Sequence, residues 1–281
     1  MTTLGDPADG DRGRFRVLSG FGGTALFDAD FRNFVFEPHF HDTLMLGLIL
    51  DGRKRFIRGK VMHEVEAGGL SIVNPGETHT GGVIGIDQPL RYTSVYPGAA
   101  LIAEAGFPEG ADLGPAVVND GALRSAFARA LTPGTPDCEA EEALLIALAG
   151  LAARYVTAPR RLPPSGASRA VMLAVDYIRS ELSAELRLEA IADKAQIGPR
   201  HLIRCFRQSV GMTPQEYVRQ ARVREAADRL RRGEPPACAA QNAGFADQPH
   251  MTRAFRMVMG ITPAAYARSW RKSRVDEQMR S

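Results

Sequence analysis

Three histidines in the first third of the chain have the residue type and spacing of metal ligands or of a polar pocket. His39 and His41 lie two residues apart, just before the apolar run 44–50, so on a strand their imidazoles would point the same way. His79 follows a later Gly/Pro break and could join them across a small β-structure. Three imidazoles together suit zinc, nickel, copper or iron, and they also suit the wall of a ligand pocket.

A second set of candidate residues comes from an internal repeat in the C-terminal part. Segments that start at Gly198 and at Asp247 align at a fixed offset of 49 residues, with eight identical positions. The identical pairs are His201/His250, Arg204/Arg253, Phe206/Phe255, Arg207/Arg256, Gly211/Gly260, Thr213/Thr262, Pro214/Pro263 and Tyr217/Tyr266. Two copies are too few for a solenoid, so the repeat predicts a duplicated supersecondary unit.

Each copy has the pattern of a helix-turn-helix. In the first copy, a short apolar stripe over 188–195 precedes the turn Gln196-Ile197-Gly198. In the second copy, the Ala-rich segment 239–243 precedes the turn Gly244-Phe245-Ala246. The helix predicted between the copies, 214–232, would be roughly 28 Å long. A helix of that length can hold two recognition helices about one DNA turn apart, roughly 34 Å.

Charge is distributed unevenly along the chain. The 281 residues carry a formal net charge of only +3. Residues 1–167 contain 15 Lys and Arg against 20 Asp and Glu, a net charge of −5, whereas residues 168–281 contain 20 against 12, a net charge of +8. A basic module suggests a polyanionic partner such as nucleic acid, although the solvated faces of Arg-rich helices would give the same charge.

Several classes of protein are excluded by the sequence. Residues 1–16 are polar and lack the apolar core of a signal peptide, and the longest apolar run, 143–153, is too short to span a bilayer. The three cysteines are widely spaced and form no Cys-x-x-Cys pair, which argues against a disulfide framework or a zinc finger. We therefore expect a cytoplasmic protein with no membrane partner.

The order of the patterns predicts a two-domain α+β protein. Residues 1–30 show no clear periodicity, and we expect them to fray at least up to Arg14. Short strands with Gly/Pro turns follow and indicate a small barrel or sandwich; they are 44–50, the hairpin 53–57 and 61–65, 70–73, 83–86 and 90–96. Helices are predicted over 120–131 and 139–156. The predicted domains are 1–162 and 168–281, joined by a linker at 163–167.

The repeated unit resembles the DNA-binding domain of the AraC/XylS family of bacterial transcription regulators. The resemblance covers roughly 188–266, with a leading helix from about Ser168, and its most specific motif is Gly244-Phe245-Ala246-Asp247-Gln248 followed by Gly260-Ile261-Thr262-Pro263. It implies that two recognition helices enter successive major grooves of double-stranded DNA. The base-edge roles that it implies fall on Arg200, Ile203, Arg204, Gln248, His250, Thr252 and Arg253, and Arg207 and Arg256 are placed near phosphates.

The second copy departs from the family pattern at three positions. Pro249 and Met251 stand where the family usually has Ser and Phe, and Ala239 stands where a large aliphatic residue is common. We therefore expect looser packing and less certain base reading in the second copy than in the first.

The N-terminal part resembles the cupin-like barrel with which AraC-family proteins sense effectors. The effector-lining residues that this implies are His39, His41, Met45, His79 and Tyr92. Metal-binding cupins usually place Glu where this chain has Met45, which weakens the prediction of a divalent metal held by His39, His41 and His79. The resemblance also implies that the helix 139–156 pairs two protomers.

Three functions follow from these patterns. The first is an effector-responsive transcription regulator without enzymatic activity, with RNA polymerase as a partner if it activates. The second is a metal-responsive regulator that uses the three histidines. The third is a cupin enzyme tethered to a DNA-binding module.

Overall fold

The computed structural model of the chain contains two compact units, a β-rich unit drawn mainly from the N-terminal part and a helical unit drawn mainly from residues 161–268. The structure describes residues 11–18, 20, 23–82, 89–132, 134–157 and 166–278. The predicted strand 83–86 and most of the predicted linker, 163–165, lie outside the described residues. The first helix of the helical unit begins at Gly166, two residues before the predicted domain start. The predicted order of a β-rich part followed by helices is confirmed.

The β-rich unit is built from short strands and three helices. Its strands are β1 (Arg12–Leu18), β2 (Thr24–Phe31), β3 (Val35–His39), β4 (Met45–Asp51), β5 (Arg53–Arg58), β6 (Val61–Glu66), β7 (Leu70–Val73), β8 (His79–Gly82), β9 (Leu90–Tyr96), β10 (Asp112–Leu113), β11 (Val117–Val118) and β12 (Val156–Thr157). Its helices are α1 (Ala99–Glu104), α2 (Gly121–Leu131) and α3 (Asp137–Tyr155). Among the described residues, the larger sheet has the order β1-β2-β9-β4-β7-β11 and the smaller one β3-β8-β5-β6.

The first strand pair was not expected from the sequence. β1 pairs antiparallel with β2, with Arg14 opposite Asp28, so the prediction of fraying is wrong for residues 12–14, and residues 1–10 lie outside the described residues. Opposite charges on facing strands stabilise an antiparallel pair, and Arg16 Nε lies 3.1 Å from the Asp28 carboxylate. Phe15 packs on Phe27 with ring centroids 4.8 Å apart. Charge pairing and the aromatic contacts of Phe15 with Phe27 and Tyr96 therefore replace the apolar periodicity that the segment lacks.

The predicted hairpin is present with a tight turn. β5 and β6 pair antiparallel up to Arg58 opposite Val61, which leaves Gly59 and Lys60 as the two turn residues. Gly59 has φ +63°, the left-handed conformation that two-residue hairpin turns require and that glycine adopts without strain.

Both faces of the larger sheet are buried. One face packs on α2 and α3 through a cluster of aliphatic and aromatic side chains that includes Leu46, Ile72, Val95, Phe127 and Leu148. Asp120 caps α2 by accepting hydrogen bonds from the backbone N–H groups of Ala122 and Leu123, as its position before an apolar stripe predicts. The opposite face is covered by the smaller sheet and carries the polar row described below.

The helical unit consists of seven helices within the described residues. They are α4 (Gly166–Ser180), α5 (Leu188–Lys194), α6 (Pro199–Ser209), α7 (Pro214–Arg231), α8 (Pro236–Asn242), α9 (Gln248–Met259) and α10 (Pro263–Gln278). No helix of the described segments is long and apolar enough to cross a membrane.

The sequence repeat corresponds to a repeat of three-dimensional packing. Phe206 meets Tyr217 edge-on with ring centroids 5.5 Å apart, and the equivalent Phe255 meets Tyr266 at the same distance. The long helix α7 begins with a capping box, in which Thr213 and Glu216 each bond the other's backbone N–H. Its 18 residues give a length of about 27 Å, close to the predicted spacer.

Candidate DNA interface and ligand site

The recognition helices α6 and α9 each bury the side chains at equivalent positions of the repeat. Leu202, Cys205 and Phe206 are buried in α6, and Met251, Ala254 and Phe255 are buried in α9. The departures from the family pattern do not open the second core, because Ala239 and Met251 are fully buried and Pro249 lies in the first turn of α9, where it is tolerated.

The predicted DNA-binding residues lie on the outward faces of these two helices. Exposed residues are Arg200, Arg204, Arg207, Gln248, His250 and Arg253. Partly exposed residues are Ile203, Thr252 and Arg256. Two of the nine have local contacts, because the Thr252 hydroxyl donates to the Gln248 carbonyl at 2.9 Å and the His250 ring packs on Phe245 at 5.3 Å.

The five arginines of α6 and α9 differ in their charge partners from several other arginines of the helical unit. Among the described residues, none of the five forms an ion pair within the chain. By contrast, Arg229 of α7 pairs with Glu225 at 2.7 Å and with Glu234 at 3.2 Å. Intramolecular salt bridges therefore do not explain the outward charge, and the guanidinium groups are available to phosphates and base edges.

One contact that the sequence did not predict lies within the helical unit. It joins the turn of the second helix-turn-helix copy to the loop that precedes the first copy. Arg222 of α7 donates to the carbonyls of Leu182 at 3.0 Å and Ala184 at 2.7 Å. Gly244 has φ +84°, and a Cβ there would lie 2.1 Å from the Leu182 carbonyl oxygen. Only glycine fits this position, which gives the signature glycine a packing role.

The three histidines of the β-rich unit meet as predicted. His39 ends β3, His79 begins β8, and these strands are neighbours in the smaller sheet. One ligand atom from each of His39, His41 and His79 lies within 4.8 Å of the others, and the rings of His41 and His79 are 5.0 Å apart. The ring of Tyr96 also lies in this cluster, 5.0 Å from that of His41.

Hydrogen bonds orient two of these imidazoles. His39 Nδ1 lies 2.7 Å from the Glu37 carbonyl oxygen, and His79 Nδ1 lies 3.2 Å from the Glu77 carbonyl oxygen. A carbonyl can only accept, so in each ring Nδ1 carries the proton and the neutral imidazole keeps its lone pair on Nε2. Metal-bound histidines usually have this arrangement, and the donor set therefore fits a divalent transition metal.

Met45 and Tyr92 are buried, each 3% exposed, but their neighbours differ. Met45 begins β4 opposite Val73. Tyr92 contacts Lys54, whose ammonium lies 4.8 Å from the centre of the tyrosine ring. Lys54 was not among the residues that the sequence predicted for this site.

Lys54 is a buried cation inside the β-rich unit. It projects from β5 and is 4% exposed, and burial lowers the pKa of its ammonium from 10.5 to about 8. Its Nζ donates to Ser71 Oγ at 3.2 Å and lies 5.4 Å from the ring centre of Phe56. No carboxylate of the described residues forms an ion pair with it. The sequence could have predicted the burial of Lys54. Side chains alternate along a strand, so a buried Phe56 in β5 places Lys54 on the same inward face.

A polar row of the larger sheet faces this ammonium. Register places Gly47 of β4 between Ser71 of β7 and Ser94 of β9, and all three point to the interior. A Cβ on Gly47 would lie 3.6 Å from Lys54 Nζ and 2.5 Å from Ser71 Oγ. Because Gly47 has no side chain, the Lys54 ammonium has room to contact this row of the larger sheet.

Comparisons with known proteins agree with this division. The model of the AraC-like ligand binding domain matches residues 21–148, and the model of a helix-turn-helix domain matches residues 191–269. The uncharacterized HTH-type transcriptional regulator YbfI of Bacillus subtilis is 26% identical over 232 residues, which are 76% of this chain and 80% of YbfI.

Two further matches have different extents. The bifunctional transcriptional activator/DNA repair enzyme Ada of Escherichia coli is 37% identical over 67 residues. That match covers 24% of this chain and only 19% of Ada, so it concerns a small part of that protein. The crystal structure of ToxT of Vibrio cholerae shares the fold over 93% of this chain and 98% of its own, with a TM-score of 0.51 and 12% identity.

The two units and their matched models define a transcription regulator with a ligand-binding domain followed by a duplicated helix-turn-helix domain. The chain therefore has an AraC-like ligand binding domain and a helix-turn-helix domain, which agrees with the AraC/XylS resemblance of its sequence motifs.

Replacing Lys54 by methionine should stabilise the free protein at neutral pH. Methionine keeps an apolar stem of similar length and removes a charge that burial disfavours. The lowered pKa corresponds to a cost on the order of 3 kcal/mol, part of which is offset by the lost contacts with Ser71 and Tyr92. We expect Lys54→Met to raise the free energy of unfolding by about 1–3 kcal/mol at about pH 7, measured by urea denaturation.

The advantage of Lys54→Met should shrink as pH rises from about 8 to 10.5. In this window folded wild-type protein releases the Lys54 proton while the unfolded chain retains it, so wild-type stability rises. Tyr92 does not interfere, because burial raises its pKa well above the ordinary value. Lys60→Met, in the exposed hairpin turn, is the matched control. A Lys54→Met protein less stable than wild type at neutral pH contradicts the assignment of an uncompensated charge.

Proposed function

We propose that the β-rich unit binds a small effector and that binding changes how the two recognition helices engage promoter DNA. The proposed sensing domain is 1–162, the linker 163–167 and the DNA-binding domain 168–281. The effector would act by its differential affinity for two arrangements of the protein, and no catalytic step is part of the proposal. The site of action is cytoplasmic DNA, and RNA polymerase is a further partner where the protein activates.

The observation that carries the proposal is the set of outward arginines that pair with no carboxylate of the described residues. Arg204 and Arg253 occupy equivalent positions on two helices held in the same way, and we assign them to base edges in successive major grooves. Arg200, Ile203, Gln248, His250 and Thr252 complete the proposed base-contacting set. Arg207 and Arg256 lie one turn further along and are assigned to phosphates.

Loss of a base-reading arginine should weaken specific binding selectively. An arginine that bonds guanine through two hydrogen bonds contributes about 1–3 kcal/mol, so Arg204→Ala and Arg253→Ala should each reduce affinity about 5- to 150-fold. Arg207→Ala should instead weaken specific and nonspecific binding alike and reduce the slope of log K against log salt by about one. The measurement is a mobility-shift titration on DNA upstream of the protein's own gene at several salt concentrations.

The matched control for these variants is Arg231→Ala. Arg231 lies on α7 and pairs with Asp228 at 3.1 Å, so its loss removes the same charge away from the recognition helices. Wild-type protein that fails to shift this DNA, with cell extract metabolites and without them, counts against the proposal. Equal losses for Arg231→Ala and Arg204→Ala would show that net charge, and not position, determines binding.

We also propose that α3 pairs two protomers. Ile146 on α3 is 55% exposed, and Ala149 and Ala153 on the same face are exposed. An exposed isoleucine flanked by small residues allows the close approach of a second copy of the helix, and an isologous pairing of identical faces satisfies two-fold symmetry.

Ile146→Glu should convert the proposed dimer to a monomer, because two carboxylates would face each other across the symmetry axis without water. Sedimentation velocity measures the change. Leu50→Glu is the control, since Leu50 is a comparably exposed apolar residue, 47% exposed, outside α3. A wild-type protein that sediments as a monomer, or an Ile146→Glu protein that remains dimeric, contradicts this interface.

A second candidate function is metal sensing by His39, His41 and His79. The imidazoles of His39 and His79 favour it, because a backbone carbonyl holds Nδ1 of each ring, the arrangement usual in metal-bound histidines. A metal bound there would supply a fixed positive charge within the β-rich unit, and the three side chains would serve as its nitrogen ligands.

Metal-free protein titrated with zinc, nickel, copper and iron(II) tests this candidate. We expect one equivalent to bind and the binding to be lost in His39→Ala/His41→Ala, as measured by elemental analysis after gel filtration. His63→Ala is the control, since His63 lies in β6 outside the cluster. Retention of the metal by the double variant, or no binding by the wild type, rejects metal sensing and leaves the histidines to an organic effector.

A further inference from the structure

Lys54 and the polar row of Gly47, Ser71 and Ser94 lie together in the interior of the β-rich unit. The proposed effector sensing does not say which part of an effector would bind there. We propose that Lys54 binds the carboxylate of the effector inside the β-rich unit, and that the effector is a small monocarboxylic acid with an aromatic or apolar body. The inference rests on the proposed effector sensing and specifies the chemical class of the effector.

The first argument is the missing counter-ion. A buried ammonium is costly unless it is paired and hydrogen-bonded, yet none of the described carboxylates pairs with Lys54. Desolvation accounts for the lowered pKa, which at about 8 still leaves the group mostly protonated at neutral pH. An anionic ligand would supply the missing charge, and its binding would be strengthened by the low polarity around it.

The second argument is the supply of hydrogen bonds. The ammonium has three donors, and Ser71 Oγ accepts from one of them at 3.2 Å. The Ser71 hydroxyl donates in turn to the Gly47 carbonyl at 3.3 Å, so it is oriented as an acceptor for Lys54. The remaining N–H groups of Lys54 can meet one carboxylate oxygen, and the buried hydroxyl of Ser94 in the same row can donate to the other.

The third argument concerns the rest of the ligand. The interior around Lys54 is aromatic, with Tyr92 and Phe56 beside the ammonium. Phe27 and Phe31 lie 6.4 and 6.1 Å from the ring of Tyr92. A ligand attached to the carboxylate would therefore contact rings and not polar groups, which favours an aromatic or apolar body.

The charge of the site favours a carboxylate over a phosphate. Lys54 is a single cation, and no arginine fork faces it among the described contacts of its ammonium. A phosphate monoester, which carries nearly two negative charges at neutral pH, would leave one charge buried and unpaired. A monocarboxylate neutralises the site.

The test compares acids with neutral analogues of the same shape on the full chain. The probes are benzoate, phenylacetate and hexanoate, each paired with its amide, together with phenyl phosphate. Protein treated with a chelator is used so that a metal at the histidines cannot bind the acids. We expect at least one acid to raise the thermal midpoint and to bind by calorimetry, whereas its amide binds about 10- to 100-fold more weakly, because a charged hydrogen-bond partner is lost.

Two substitutions locate the effect at the ammonium. Lys54→Met should abolish the difference between acid and amide, whereas the exposed Lys60→Met retains it. Gly47→Ala keeps the charge of Lys54 but puts a methyl group 2.5 Å from Ser71 Oγ, which must shift, and it should weaken the binding of the acid more than that of the amide. Because Gly47→Ala removes no charge, it tests the site even if Lys54→Met folds poorly.

Several results would overturn the proposal. These are equal binding of acids and amides, undiminished acid binding by Lys54→Met, binding of phenyl phosphate in preference to every acid, and no effect of any acid on wild-type protein. Mobility shifts on the same variants without probe separate this failure from that of the proposed function, since Lys54 takes no part in the DNA contacts. If the protein binds DNA normally but binds none of the acids, only the proposal that Lys54 binds a carboxylate is rejected.

Discussion

One buried aromatic ring in each recognition helix determines which side chains of that helix can reach DNA. Phe206 and Phe255 are fully buried, and each packs edge-on against the tyrosine that follows eleven residues later at a centroid distance of 5.5 Å. With 3.6 residues per turn, an inward ring at this position directs the arginine two residues earlier outward. Because the packing is repeated, the outward arginines are repeated too.

The β-rich unit obeys a comparable constraint with a period of two. Both faces of the larger sheet are covered, so β4 is apolar at nearly every position instead of alternating. Under that constraint a polar side chain in the interior needs a partner. Ser71 and Ser94 are each at most 2% exposed, and they flank Gly47 in one row. The Lys54 ammonium is the partner of Ser71, and in the proposed site the Ser94 hydroxyl serves the ligand.

Features carried by local sequence were predictable. The hairpin at Gly59 and Lys60, the cap at Asp120 and the repeated helix-turn-helix all follow from residue types at fixed spacings. The histidine cluster followed from the spacing of His39 and His41 together with a resemblance to a known barrel. Each of these signals lies within a few residues or in an exact repeat.

Features that depend on pairing between distant segments were not predictable in the same way. β1 has a weak apolar pattern, and its order comes from Asp28 and Phe27 on the neighbouring strand. The role of Lys54 was hidden because Arg53, Lys54 and Arg55 read as a polar run. Arg53 and Arg55 pair with Glu64 at the surface, while Lys54 between them points inward. Only the alternation imposed by Phe56 distinguishes the three.

The uncompensated charge also has a thermodynamic consequence for sensing. A domain is stable by only about 5–15 kcal/mol, so a buried ammonium that costs on the order of 3 kcal/mol is a considerable loss in the free protein. A ligand that neutralises this charge removes the cost in the bound state alone. The ligand-free β-rich unit is then less stable than its fold allows, and the bound unit is stabilised further by mass action. The free energy of a sensor that is stabilised by an anion therefore changes considerably when that anion binds. Coupling between effector binding and DNA binding cannot exceed this change in free energy.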